Sequence, residues 1–448
     1  MAENLERLTM KEEKKTENRQ QNTENTVVPI PTSLQDPERH STTPREPTYL
    51  PDELILQILS YPTTQPTFAA CCLTSRQWYA AAIPLLYHTP HLYGHNFAPF
   101  VASICPSKNL SVRASPLASL VRVLDMSALV HQATKSTTAR LLGRTKGNLE
   151  VFVAPQRGFA MNAFPALAKS ERLRVLDLSL VSESPPLPDM FKAVAGLQCL
   201  QTFRLPRSAG FGIHHSSSSF PWPPNLTALS LSGGIDAHFL HGVVAFPQTL
   251  RSLTIEHCPS AKGYTVTHLL RKAVAPLNGI KRLRIAHMPR LSGQALDYVL
   301  YLLPQLEELS VSVDYITPAI FDDSHFNNVK NHPMVVPPGG ASMMPDVGTQ
   351  TLHESTAPSL ESGEAGLSLS TLELTYSGSP ADITDKISPL DIMIAIDDGV
   401  LPNLRRVRVA KSLMWQDAEA ESLSDVLIDA ARKEGENERE AGVWRFEG

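Results

Sequence analysis

The chain has 448 residues and 42% hydrophobic content, enough for a substantial core of ordinary globular composition. Its 40 Lys and Arg against 45 Asp and Glu leave a net charge of −5, so no basic field draws it to nucleic acid or to an anionic membrane surface. Five cysteines, Cys71, Cys72, Cys105, Cys199 and Cys258, are odd in number and form no C-x-x-C pair, which fits a reducing compartment better than a disulfide framework.

In chain order, residues 1–47 are rich in Glu, Asn, Gln, Thr and Lys and nearly lack aromatics. They hold too little apolar surface to offset the entropy of ordering and are expected to be disordered. The opening MAENLERLTMKEEKK is charged where a secretory signal needs an apolar core, and no apolar run is long enough to cross a bilayer. A cytoplasmic or nuclear protein is expected.

The stretch LPDELILQILSY from Leu50 reads as a short amphipathic helix. Pro51 suits a first turn, where its missing N–H is not needed, and Asp52 and Glu53 complement the positive helix end. Leu50, Leu54, Ile58 and Tyr61 form one stripe at three- and four-residue spacing. Pro62 and Pro66 stop this helix and start a second, PTFAACCLT; a third begins near Arg76 and carries WYAAAIPLLY from Trp78. Three such helices make a core too small to be very stable alone, so part of their apolar surface needs a cover.

Beyond them one pattern recurs, an apolar residue, two variable ones, an apolar, a variable and an apolar. It is seen in LRVLDLS from Leu173, LTALSLS from Leu226, LRSLTIEHC from Leu250, IKRLRIAHM from Ile280, LEELSVS from Leu306, LSTLELT from Leu369 and LRRVRVA from Leu404. Poorer copies start at Val121, Leu149 and Leu200. The anchors from 121 to 306 are separated by 28, 24, 27, 26, 24, 30 and 26 residues, a solenoid period. After the strand-like cores come segments of helical spacing such as GYTVTHLLRKAVAP and SGQALDYVLYLLP. This succession resembles a leucine-rich repeat solenoid over about Leu117 to Ala410, which implies an α/β fold with parallel strands on the concave face and helices on the convex face.

The Pro-, Gly-, Ser- and Thr-rich stretch from His332 to Gly366 has neither period and reads as a disordered insertion. Leu423, Val426, Leu427 and Ala430 recur at helical spacing and predict a terminal cap over the last repeat. The expected domains are a leader 1–47, the helical module 48–95, repeats 96–316, an insertion 317–366, final repeats 367–413, and a helical cap and tail 414–448.

Leu50-Pro51-Asp52-Glu53-Leu54, Ile58-Leu59 and Leu73-Thr74-Ser75-Arg76-Gln77-Trp78-Tyr79 resemble an F-box, the module by which a subunit docks onto a Skp-type adaptor. The resemblance implies that Leu50, Pro51, Leu54, Ile58, Leu59, Leu73 and Trp78 supply the adaptor-binding surface. It also implies a cullin scaffold and a RING subunit as partners through the adaptor. An F-box followed by leucine-rich repeats resembles the substrate receptors of Skp-cullin-F-box ubiquitin ligases, and DDGVLPNLRRVRVA with GVWRFEG is similar to the carboxyl region of fungal F-box proteins. Thr74-Ser75 stands where the family usually has Val-Cys, a polar departure that implies weaker adaptor docking. The alternative is a leucine-rich repeat scaffold not assembled into a ligase.

Alternation along each strand places Arg204, Glu256, Arg282, Arg284, Glu308, Glu373, Arg406 and Arg408 on the concave face as candidate contacts to a protein substrate. Arg282 and Arg284, two apart on one strand, form a candidate fork for a carboxylate or a phosphate, with Glu256 and Glu308 on the flanking strands as the balancing charges. No phosphate-binding loop or nucleophile elbow is present. His91 and His95 lie four apart, but Gly94 weakens a helix there and no third ligand is suggested. No catalytic residue, metal or cofactor is expected.

Overall fold

Alternation of apolar and polar side chains builds a strand that hides one face, and here the same alternation returns in most repeats. The computed structural model describes residues 50–61, 64–107, 115–209, 221–235, 239, 246–274, 279–291, 293–322, 367–376 and 386–447. The expected leader, residues 1–47, and the insertion from His332 to Gly366 lie outside the described residues.

Among the described residues eleven strands form a single sheet in strict chain order. They are β1 (Val123–Asp125), β2 (Val151–Val153), β3 (Val175–Asp177), β4 (Thr202–Arg204), β5 (Ala228–Ser232), β6 (Ser252–Glu256), β7 (Arg282–Ala286), β8 (Glu308–Ser312), β9 (Thr371–Thr375), β10 (Arg406–Ala410) and β11 (Gly442–Phe446). All neighbours pair in parallel, as crossover connections require.

The second residue of each strand meets its counterpart in register. One ladder runs Leu124, Phe152, Leu176, Phe203, Leu229, Leu253, Leu283, Leu309, Leu372, Val407, Val443. Its members up to Val407 are buried, and Val443 packs against the same core at the open end. Leu309 pairs directly with Leu372, so the long segment between β8 and β9 leaves the ladder unbroken.

The crossovers place helices on the opposite side. Lys135–Thr145 buries Leu141 and Leu142; Leu187–Val194 buries Met190, Phe191 and Val194; Pro389–Asp397 buries Ile392 and Ala395. The last of these starts on a reciprocal cap between Ser388 and Asp391, and it ends at Asp397-Asp398 before Gly399. The segment expected as one helix from Ser292 to Pro304 is instead a 3-10 turn, Gly293–Leu296, with non-helical backbone inside it at Gln294, followed by a single helical turn, Val299–Leu302.

Both ends of the solenoid differ from expectation. At the amino end the helix Phe97–Ile104 turns Phe97, Phe100 and Ile104 into the core, so residues 97–104 close the first repeat rather than form one. Ile320 and Phe321, within the expected insertion, are also core residues. At the carboxyl end the helix Asp417–Glu434 buries Ala420, Leu423, Leu427 and Ala431 but does not terminate the sheet. Gly435, in the left-handed conformation at φ 74°, ends that helix, and the chain returns to pair β11 with β10. The expected helical cap is therefore the crossover helix of one further repeat.

Leu309→Ala removes a rung of the ladder in the middle of the sheet. It is expected to lower stability by about 2–5 kcal/mol, as core leucine truncations do, read as a shift of the denaturant midpoint.

Candidate functional site

Three helices precede the solenoid: α1 (Asp52–Leu59), α2 (Gln65–Cys72) and α3 (Arg76–His88). The same eight residues of α1 serve two faces. Ile55 and Leu59, one helical turn apart, are buried, and α1 packs on α3. Leu54, Leu56 and Ile58 are exposed, and Tyr61 beyond the helix end is 75% exposed.

Polar contacts fix the arrangement at its edges. Gln77 Nε2 donates to Asp52 Oδ1 at 2.7 Å, joining α3 to α1, and Gln65 Nε2 donates to the Thr89 carbonyl at 3.1 Å. Ser75 is the N-cap of α3, its Oγ accepting from the Trp78 N–H at 3.2 Å. Thr74 Oγ1 donates to the Cys71 carbonyl at 2.8 Å and closes α2. The polar Thr74-Ser75 pair therefore spends its hydroxyls on the local α2–α3 turn.

Of the residues expected on the docking surface, Leu54 and Ile58 lie open, Pro51 is exposed, Leu50 and Trp78 are half-buried, and Leu73 is 87% exposed between α2 and α3. Leu59 is the correction: at 1% exposure it belongs to the core of the three helices, because it follows Ile55 by one turn and not Leu54. Leu56 and Tyr79 join the exposed apolar set. Neither belongs to the three- and four-residue stripe that begins at Leu50, so periodicity alone passes over them.

On the helix-free face of the sheet, the third residue of each strand makes a polar row. From β6 to β11 it reads Thr254, Arg284, Ser310, Glu373, Arg408, Trp444. Glu373, with its side chain only 10% exposed, stands between two arginines. Arg284 Nη1 donates to Glu373 Oε1 at 2.7 Å, and Arg408 Nη1 lies 2.5 Å from Oε2. Ser310 Oγ adds a 2.9 Å hydrogen bond to Oε1. These contacts satisfy a carboxylate that would be costly to bury unpaired.

The Arg282–Arg284 fork is not what the strands assemble. Arg284 is engaged with Glu373, whereas Arg282 sits one row away, opposite Glu308. Glu256 faces Ala286 in register, away from both arginines. Elsewhere Arg204 pairs with Asp177 at 2.9 Å, and Arg406 with Glu440. Arg284, Glu373 and Arg408 thus converge, while Arg204, Glu256 and Arg406 lie apart from them.

Beyond this polar row the fifth residues of β7, β8 and β9 are small: Ala286, Ser312 and Thr375. With Arg284, Glu373, Arg408, His287, Tyr376 and Phe446 they line a cleft of about 350 Å³. His257 and His287 follow their strands in the left-handed conformation, φ 53° at each, and their rings stack at 4.5 Å. Burial, with Arg207 and His287 nearby, holds the His257 imidazole below its usual pKa. Arg408 also lies over the Phe446 ring, 5.2 Å from its centroid.

Burial, aided by Glu256, pushes the Cys258 thiol up to about 12, which marks it as a packed and unreactive group. Among the described residues no three His, Cys, Asp or Glu side chains cluster in a way that would hold a metal ion, and His91 and His95 are both exposed. No helix of the described residues is long and apolar enough to cross a membrane.

Residues 48–93, which contain the three helices, match the F-box-like family. The chain is 29% identical over 368 residues to F-box protein YDR306C of Saccharomyces cerevisiae, covering 81% of this chain and 66% of that protein, just under two thirds of its length. It is 28% identical over 362 residues to Protein pof5 of Schizosaccharomyces pombe, covering 81% of this chain and 88% of the relative. Among solved structures an internalin of Listeria monocytogenes matches 60% of this chain and 84% of its own at 14% identity, with a TM-score of 0.28, and the fold assignment rests instead on the strand register above. The chain carries an F-box-like domain and is related by sequence to fungal F-box proteins.

Ser75→Ala removes the cap of α3. It is expected to destabilise the three-helix segment by about 1 kcal/mol, read as faster amide exchange at residues 76–79 with the sheet unchanged.

Proposed function

We propose that this chain, with its F-box-like domain and its leucine-rich solenoid, is the substrate-recognition subunit of a Skp-cullin-F-box ubiquitin ligase. Its F-box binds a Skp-type adaptor, and through it a cullin and a RING subunit, while the repeats hold a protein substrate. F-box domains generally bind such adaptors, and F-box proteins are typically non-catalytic receptor subunits. The chain's contribution is proximity: it holds a substrate lysine within reach of a charged conjugating enzyme, and the bond-making is done elsewhere.

One observation carries this reading. Leu54, Leu56, Ile58, Leu73 and Tyr79 are large apolar side chains left exposed within the F-box-like residues, and the described chain does not cover them. Such a group on a short helical module has the character of an interface. Leu73 and Leu54 serve as insertion points, and Trp78, half-buried in the third helix, is the candidate anchor. The capped Thr74-Ser75 turn supports adaptor docking over the scaffold alternative, since both hydroxyls already have partners within the module.

Co-purification with a Skp-type adaptor tests the reading. The wild-type chain is expected to capture it, and Leu54→Ala with Leu73→Ala, two exposed positions, to weaken capture at least thirtyfold, about 2 kcal/mol, in a variant whose fold is checked by circular dichroism. A folded wild-type chain that captures no adaptor points to the scaffold alternative.

A further inference from the structure

The cleft at the carboxyl end of the sheet has the chemistry of a selective anion site. Two guanidiniums, Arg284 and Arg408, are held by the two oxygens of a single buried carboxylate, Glu373. Glu373 fixes their position, as an ordered anchor must for arginine forks to be geometrically specific. About half of each arginine side chain remains exposed, at 44% and 50%, so unspent N–H donors face the cleft.

Charge then decides among anions. Among the described residues the two guanidiniums and one carboxylate leave a single positive charge, since the cleft-lining Glu447 pairs with Lys411 and the nearby Lys386 with Asp314. One carboxylate neutralises that charge. A phosphorylated side chain, with a charge of about −1.5 to −2, would be left partly uncompensated beside Glu373. The volume of about 350 Å³ suits one or two residues of a peptide, and Tyr376, Phe446 and His287 offer apolar and aromatic faces to the group beside the charge.

We propose that this cleft is the specificity pocket for substrate and takes a peptide carboxylate, from a chain terminus or from an Asp or Glu side chain, next to an apolar residue. The assignment rests on the receptor reading above. The terminal strand β11 is integral to it, because Phe446 and Glu447 line the cleft and no other described strand end carries an aromatic at that position.

The test uses the immobilised full chain and randomised decapeptide mixtures, with the retained peptides sequenced by mass spectrometry. One mixture has free carboxyl termini and omits Asp and Glu, a second is amidated and contains them, a third is amidated and omits them, and a fourth is the third with one phosphoserine. Retention of the first or second over the third is expected, and whichever is retained identifies the carboxylate as terminal or side-chain. The triple variant Arg284→Gln, Glu373→Gln, Arg408→Gln, which leaves no buried charge unpaired, is expected to lower retention at least about tenfold, the size of a charge-assisted hydrogen bond.

Glu373→Gln alone raises the net charge of the site and is expected to admit the phosphoserine mixture, which the wild type rejects. Equal retention of the third mixture, undiminished retention by the triple variant, or preference of the wild type for phosphoserine each overturns the proposal. Adaptor capture is measured on the same preparations. A chain that captures adaptor but retains no peptide overturns the pocket and leaves the receptor reading standing, and retention of carboxylate peptides without adaptor capture does the reverse.

Discussion

The structure depends on one continuous ladder of apolar side chains. From Leu124 to Val407 the second residue of every strand sits directly against its counterpart in the neighbouring repeat, and each is buried. A single repeat of this kind cannot hide its own apolar face; stacking hides it from both sides at once, so stability accrues between neighbours. The ends then need closing. Phe97, Phe100 and Ile104 do this at one end, and at the other the chain adds a strand whose Val443 is only partly covered.

Because the ladder fixes register, it also fixes which side chains meet on the opposite face. Arg284 and Glu373 are far apart in sequence, with the long segment between β8 and β9 between them, yet stand two strands apart on the polar row. The buried carboxylate is tolerable because two arginines and a serine satisfy it. The F-box helices work under a different constraint. Eight residues of α1 cannot bury Ile55 and Leu59 inward and Leu54, Leu56 and Ile58 as well, and the surplus stays exposed.

The repeat strands were legible in the sequence because alternation and a period in the twenties repeat many times, and each copy corroborates the next. β11 was not, because GVWRF has no preceding apolar anchor in the repeat pattern and follows a helix that by itself reads as a cap. The segment from Ser292 to Pro304 has helical spacing, but with Gly293 near its start its backbone breaks at Gln294, which periodicity does not register. Leu59 follows the same logic at a finer scale: the sequence shows an apolar residue in the right module, but only packing decides which face it takes. The arginine clamp was half legible, since alternation put Arg284, Glu373 and Arg408 on the right face while their pairing depends on skipping the long segment between β8 and β9.

The proposed receptor offers two separate surfaces, exposed apolar side chains on the F-box-like helices and a polar cleft at the carboxyl end of the sheet. Hydrogen exchange of the full chain with and without a Skp-type adaptor measures this directly. Protection confined to residues 52–61 and 65–79, with β7 to β11 unchanged, is the predicted result. Protection at the cleft strands with none at the F-box helices would contradict the account.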